Sequence, residues 1–338
     1  MRCDKRLAAA WIIVVLLFAS GAQSSDQQIL VYKKKYVMGT VFEIAAYAES
    51  SQYASATIDK ALNEIVRIDD LMSNYTPDSA LSNLNRSAHF HRQKVPVDLY
   101  RAIERAVRFS KLSAGKFDIT VAPLVNLWKA ALAGDSMPTP EQRKRAQECV
   151  GYEKIELTPP DEVMFHSSCM QIDLGAIGKG YAVDRAGEIL HAAGLRNAFI
   201  NSGGSTILAM GSPPGQAGWL VHLRDPSHKF DPYVMLKDQS VSTSEQTTSS
   251  LLAPASSGHI IDPTSGRPID TRFAVSVITP LGTPSDGLST TLLLLGPEAG
   301  KSLVDGMSSV SAIWLSPDAH IATATNGVPI LFLFGGKS

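Results

Sequence analysis

The chain has little cysteine, little aromatic material and almost no net charge. Its 338 residues include three Cys and 7% aromatic residues, and Lys+Arg 31 against Asp+Glu 32 gives a formal charge of -1. So few Cys cannot staple a chain of this length, and with 44% hydrophobic residues a packed core must hold it together. No basic block or tail supplies the broad positive surface that grips a polyanion, so nucleic acid is not expected as a partner. The eight His show no HxxxH beside a Glu, which leaves a zinc site unsupported. A GxGxxG dinucleotide pattern and a Walker Lys-Ser/Thr pair are missing as well. Internal repeats and long linkers are absent, so residues 23–338 read as one compact unit, with two subdomains sharing a cleft.

The one apolar run near the start, residues 7–18, is short for a membrane span but fits the hydrophobic part of a secretory signal. Arg2, Lys5 and Arg6 precede it and small residues follow. Cleavage is expected after Ala22, with Ser20 and Ala22 as the small pair, so that residues 1–22 are a signal peptide and the mature chain starts at Gln23. An uncleaved N-terminal anchor is the alternative. Both readings place the rest of the chain in the periplasm. No Cys follows the apolar run, so no lipid anchor is signalled. Cys3 lies in the signal; Cys149 and Cys169 remain, either as one disulfide or as two buried thiols.

Period-two alternation predicts paired strands over 31–37 and 40–48, turning at Met38-Gly39. Apolar residues at helical spacing from Ile58 to Met72 predict a helix, and a second covers 98–114 with Gly115 as its stop. Thr139-Pro140-Glu141 opens a third. Three β-like runs lie within 154–174, the last over 170–174. A glycine loop and a helix over 181–193 follow, then strands over 198–201, 206–210 and 218–223. Residues 241–258, rich in Ser and Thr, read as loop or poorly paired strand. A strand over 275–279, a helix over 286–295 and closing strands over 310–315 and 329–334 complete the chain. Strands and helices do not alternate regularly, which favours α+β with mixed or antiparallel sheets over a doubly wound parallel sheet.

The glycine-rich segment Gly175-Ala176-Ile177-Gly178-Lys179-Gly180, between a strand and a helix, suits a phosphate held by free backbone N–H groups. A strand-to-helix turn also needs Gly for geometry alone. Asn201-Ser202-Gly203-Gly204 and Met38-Gly39-Thr40 are similarly ambiguous turns. In Asp286-Gly287-Leu288-Ser289-Thr290 the carboxylate and the hydroxyl stand four apart on one helix face. They either meet one Mg²⁺ through hard oxygen donors, or Asp286 merely caps the helix. His259, in His259-Ile260-Ile261-Asp262-Pro263, is either a general base or a half-exposed structural residue.

In order along the chain, Met38-Gly39-Thr40, Met72-Ser73-x-Tyr75, Phe117-Asp118-Ile119-Thr120, the run from Ile172 to Asp184, His259-Ile260-Ile261-Asp262-Pro263 and Asp286-Gly287-Leu288-Ser289-Thr290 together resemble the ApbE family of FAD:protein FMN transferases. The resemblance spans Tyr36 to the C-terminus. It implies an α+β fold with the flavin in a cleft, and a metal held by Asp286, Thr290 and the backbone carbonyl of Gly178. It places FAD on Met38, Tyr75, Lys116, Phe117, Asp118, Gly175, Lys179, Tyr181 and Ile260, and gives His259 the acid/base role. The implied reaction is Mg²⁺-dependent transfer of FMN from FAD to a Thr or Ser hydroxyl of an exported or membrane redox protein, with loss of AMP. Any further contact with a membrane comes through that acceptor. A FAD pyrophosphatase and a non-catalytic FAD-binding accessory protein are the alternatives. The chain departs from the family at Ser205, where an acidic or amide residue is usual, and in the Ser/Thr/Ala loop before His259.

Overall fold

The structure, a computed structural model, describes residues 28–133, 136–246, 260–271 and 273–333. The expected signal segment, His259 and most of the Ser/Thr/Ala loop lie outside these residues. Strands β1 (Ile29–Val37) and β2 (Thr40–Ala48) form the expected hairpin, in register from Ile29↔Ala48 to Val37↔Thr40. Met38 and Gly39 both take positive φ, 52° and 73°, which is the twist a two-residue hairpin turn requires. Met38 is held in that costly conformation by its N–H, which donates to Asp69 Oδ2 at 3.0 Å. Asp69 belongs to α1 (Ser51–Met72), whose Ile58, Leu62, Ile65, Ile68 and Met72 are buried at helical spacing.

Next come α2 (Ala80–Ser87), β3 (Gln93–Lys94) and α3 (Val97–Leu112), which stops where Ala114 and Gly115 turn to positive φ. A 3-10 turn, Ile119–Val121, leads into α4 (Ala122–Ala133), and α5 (Pro140–Glu148) starts on a Thr139/Gln142 capping box. Strands β4 (Ile155–Thr158) and β5 (Glu162–Phe165) follow, and β5 pairs with both β3 and β4 in a small sheet ordered β3-β5-β4. The third run expected here, 170–174, is not a strand. The Asn85 side chain accepts from the N–H of Ile172 at 2.8 Å and donates to its carbonyl at 3.0 Å, satisfying the backbone groups that a neighbouring strand would otherwise take. Cys149 and Cys169 form the disulfide, which ties the end of α5 to the approach to this run.

Helix α6 (Gly178–Ala192) follows, then β6 (Asn197–Ser202), β7 (Thr206–Met210), β8 (Trp219–His222), β9 (Asp231–Leu236) and β10 (Gln239–Glu245). The last elements are β11 (Ile261–Asp262), β12 (Arg267–Pro268), β13 (Ala274–Thr279), α7 (Gly282–Asp305), β14 (Ser311–Leu315), β15 (Ile321–Thr325) and β16 (Leu331–Leu333). One antiparallel sheet runs β1-β2-β6-β7-β10-β13-β14-β15. Helices α1, α6 and α7 pack against it. Apolar side chains of the same sheet, Ala209, Val241, Ile278 and Ile313 among them, are buried against Val221, Val234 and Leu236 of a smaller sheet ordered β16-β9-β8.

β10 corrects the sequence expectation. It is a central strand, paired with β7 and β13, although Val241 is its only apolar side chain. Hydroxyl groups do the joining: Ser240 donates to the Ile207 carbonyl at 2.7 Å, and Thr243 shares a 2.7 Å hydrogen bond with Ser276. A hydrophobic-pattern reading misses such a strand because buried Ser and Thr are neutral to it once their hydroxyls are satisfied. No helix among the described residues is long and apolar enough to cross a membrane.

Candidate functional site

The site forms where α6 and α7 cross almost in backbone contact. A Cβ on Gly180 would lie 2.3 Å from the Gly282 carbonyl and 2.6 Å from the Asp286 Cβ, so only glycine fits there. Asp184 of α6 caps α7: its carboxylate accepts from the N–H groups of Gly282 and Thr283 at 2.6 and 2.8 Å. The helix therefore starts four residues before the expected Asp286. Asp286 is freed from the capping role and sits one turn in.

The Asp286 carboxylate is buried, and its Oδ2 accepts from the Gly180 N–H at 2.7 Å. Burial raises its pKa to about 6 and the nearby Asp184 charge adds to this, while Lys179, the Gly180 N–H and the Thr206 hydroxyl favour the ionised form. Thr290, one turn further along α7, is buried beside it, 3.0 Å from the hydroxyl of Ser244. A buried carboxylate and a hydroxyl on one helix face, with a half-buried lysine nearby, are groups that could hold a cation and phosphate oxygens. Among the described residues no group of three or more His, Cys, Asp or Glu forms a cage. A hard cation that takes few protein oxygens and shares the rest with phosphate and water fits this donor set; zinc does not.

The glycine turns converge on the same place. Leu174 O accepts from the N–H groups of both Ile177 and Gly178, so the chain tightens directly into α6 at Gly178 rather than at the expected residue 181. Asp173 Oδ1 accepts from the Gly175 N–H at 2.7 Å and shapes the loop's entry. The terminal methyl of Met38 lies over Gly178, 3.6 Å from where a Cβ would stand, and Thr40 packs on Gly203. Met38, Gly175, Gly178, Lys179, Asp286 and Thr290 thus belong to one neighbourhood. Ser205, in the turn beside Gly203, has a buried Oγ without a partner among the described residues.

Tyr75 is 79% exposed, and the ammonium of Lys129 stands 5.1 Å above its ring and 3.0 Å from its hydroxyl. It rims a polar recess of Asn74, Asn85, Asn126, Gln171 and Asp173, which reaches the glycine loop through Asp173. Lys116 pairs with Asp262 at 3.2 Å. Ile260 is fixed through its backbone, whose N–H donates to the buried Gln246 side chain at 2.9 Å.

Three expected flavin contacts turn inward. Phe117 is 2% exposed and packs edge-on to Phe109. The Asp118 carboxylate accepts from Thr120 N–H, Thr120 Oγ1 and Tyr152 N–H, which organises the turn into α4. Tyr181 is buried, with its hydroxyl donated to Asp98 at 2.7 Å and Arg105 over its ring. Each is polar or aromatic in a motif that carries the family resemblance, the usual dress of a ligand contact, but each side chain meets partners inside the protein. Conversely, Asp184, Thr206, Ser244 and Lys129 lie beside the predicted residues without having been singled out for a role. Asp184 stood inside the glycine-loop motif without a role, Ser244 lay in the stretch Val241-Ser242-Thr243-Ser244-Glu245 that resembles the family's Ala-Thr-Ser-Gly but was given no role, and nothing in the spacing pointed to Thr206 or Lys129.

A model of the ApbE family matches residues 38–314. The chain belongs to the ApbE family. Among its relatives, an FAD:protein FMN transferase of Treponema pallidum is 29% identical over 334 residues, 92% of this chain and 91% of that protein. One from Vibrio cholerae is 27% identical over 305 residues, covering 87% and 90%. The solved flavin transferase ApbE of Vibrio cholerae superposes with a TM-score of 0.74 at 26% identity, covering 90% of this chain and 97% of that one. The apbe protein of Thermotoga maritima gives a TM-score of 0.76 at 25% identity, covering 88% and 97%. This ApbE chain is accordingly a transferase, with the family's antiparallel α+β architecture.

Proposed function

We propose that the chain moves the FMN half of FAD onto a Thr or Ser hydroxyl of an exported or membrane-bound redox protein, with Mg²⁺ as its cation. The observation that carries this reading is the Asp286 carboxylate, buried yet anchored by the Gly180 N–H at the start of α6, with Thr290 on the same helix face. Asp286, Thr290 and the Gly178 carbonyl are the residues assigned to hold Mg²⁺, which when bound neutralises charge on the diphosphate and on the departing AMP.

The chain's own residues do the rest. Lys179, in the first turn of α6 and near Asp286, would supply a positive charge to the diphosphate. The exposed ring of Tyr75 offers a flat apolar face to an aromatic ring of the nucleotide, and the amides around the recess offer donors and acceptors to its edge. In the reaction the acceptor hydroxyl oxygen bonds to the FMN phosphorus, the bond from that phosphorus to the bridging oxygen breaks, and AMP leaves. The hydroxyl proton passes to a base, the role assigned to His259 by its place in the family motif. Export rests on the N-terminal signal, and fractionation of cells expressing the full chain tests it: recovery from the cytoplasm would remove that part of the proposal.

Incubation with FAD, Mg²⁺ and an acceptor domain should give a fluorescent flavin that stays with the acceptor after denaturation, together with AMP. Asp286→Ala should abolish both products; undiminished labelling would refute the assignment. AMP released without labelling would instead make water the acceptor and the chain a pyrophosphatase.

A further inference from the structure

The hydroxyl groups between the end of β10 and α7 admit one self-consistent order of hydrogens. Ser289, wholly buried, donates its only hydroxyl proton to the Asp286 carbonyl at 2.9 Å, and a carbonyl can only accept. Ser244 Oγ lies 2.8 Å from Ser289 Oγ. Since the Ser289 proton is committed, the proton on that line belongs to Ser244. Ser244 Oγ also lies 3.0 Å from Thr290 Oγ1, and with its own proton spent it can only accept there. The run is therefore Thr290 to Ser244 to Ser289 to the Asp286 carbonyl, each donating to the next.

We propose that Ser244 and Ser289 are positioning residues, which draw the Thr290 proton away and leave the lone pairs of its oxygen for the cation. The inference rests on the metal reading above. A hydroxyl ligates a cation through oxygen, and in the opposite order Ser244 would donate to Thr290 and occupy a lone pair. The run ends on the backbone of Asp286, so both side-chain ligands are tied to one hydrogen-bond set. It also gives a reason for Ser244 at the end of a strand that the apolar pattern could not identify.

The test is titration of Mn²⁺ alone into the full mature chain, by calorimetry or by loss of the free-ion EPR signal. Ser244→Ala should weaken Mn²⁺ binding about tenfold or more, the range typical of groups that orient metal ligands. Ser244→Thr, which keeps a hydroxyl, should restore it, and FAD affinity measured in EDTA should stay unchanged in both. Ser289→Ala, which frees Ser244 to donate toward Thr290, should weaken Mn²⁺ binding in the same direction and serves if Ser244→Ala does not fold. Mn²⁺ binding within twofold of the unaltered chain, or an equal loss of FAD affinity, would overturn the inference. Asp286→Ala separates the two levels: retained Mn²⁺ affinity in that variant sinks the metal reading itself, whereas its loss beside a neutral Ser244→Ala sinks only the hydrogen order.

Discussion

Gly180 and Asp286 depend on each other at the scale of single residues. The glycine lets α6 come close enough for its N–H to reach the carboxylate, and the carboxylate satisfies an amide at a helix start. Gly180→Ala must push α7 away, so it is expected to cost roughly 1–3 kcal/mol or more, read by urea unfolding, and to lower cation binding with it. The raised pKa of Asp286 has a definite sign. Its folded value, about 6, lies above the 3.8 of an ordinary aspartate, so the folded state holds this proton more tightly than the unfolded chain does. That contribution is complete below about pH 3.8 and is lost as pH rises through about 6. Metal-free protein should accordingly lose part of its stability across that window, while Asp286→Asn should flatten the loss. Melting curves at several pH values in EDTA check this; an unchanged profile in the variant would contradict it.

At the scale of elements, α7 owes its start to another helix. Leu281 at its N-cap position makes no side-chain cap, and Asp184 of α6 supplies the acceptors instead. Asp184→Ala leaves buried N–H groups without partners, at a cost of about 1–3 kcal/mol, and should shift the first turn of α7 away from α6. A fall in Tm together with weaker Mn²⁺ binding is expected; a fall in Tm alone would mean that the cap stabilises without aligning the site. The helix also breaks at Gly296, with φ 74°, before Pro297. The sequence expectation of a helix ending at residue 295 caught this break, because Gly-Pro ends a helical pattern wherever it occurs. It missed the true start, because the cap comes from a residue about a hundred positions away.

At the scale of the whole molecule, one antiparallel sheet carries the hairpin turn at Met38, the turn at Gly203 and the hydroxyl-bearing end of β10, while α6 and α7 bring the glycine loop and Asp286 against them. The Cys149–Cys169 disulfide stands apart from the sheet and braces the irregular approach to Asp173 and Gly175. Cysteines 20 positions apart close a loop worth about 3 kcal/mol by chain entropy. The Cys149→Ser, Cys169→Ser double variant should therefore unfold at lower denaturant and bind FAD more weakly, with Asp286-dependent Mn²⁺ binding retained. Equal loss of both ligands would show that the disulfide supports the entire site.

By itself the sequence determined the local pieces: the Met38-Gly39 hairpin, the buried stripe of α1, the stop at Gly115, the Thr139 cap and the family motifs in their order. Each turn, helix stripe, cap and single motif follows from residues within a few positions of one another. Which motif side chains are buried and which stay open was decided by tertiary structure alone. Phe117, Asp118 and Tyr181 carry ligand-like chemistry but meet their partners inside the protein, and Ser244 and Asp184 carry ordinary chemistry but lie against α7. The partner of a polar group is set by what folds beside it in space, and no spacing along the chain encodes that.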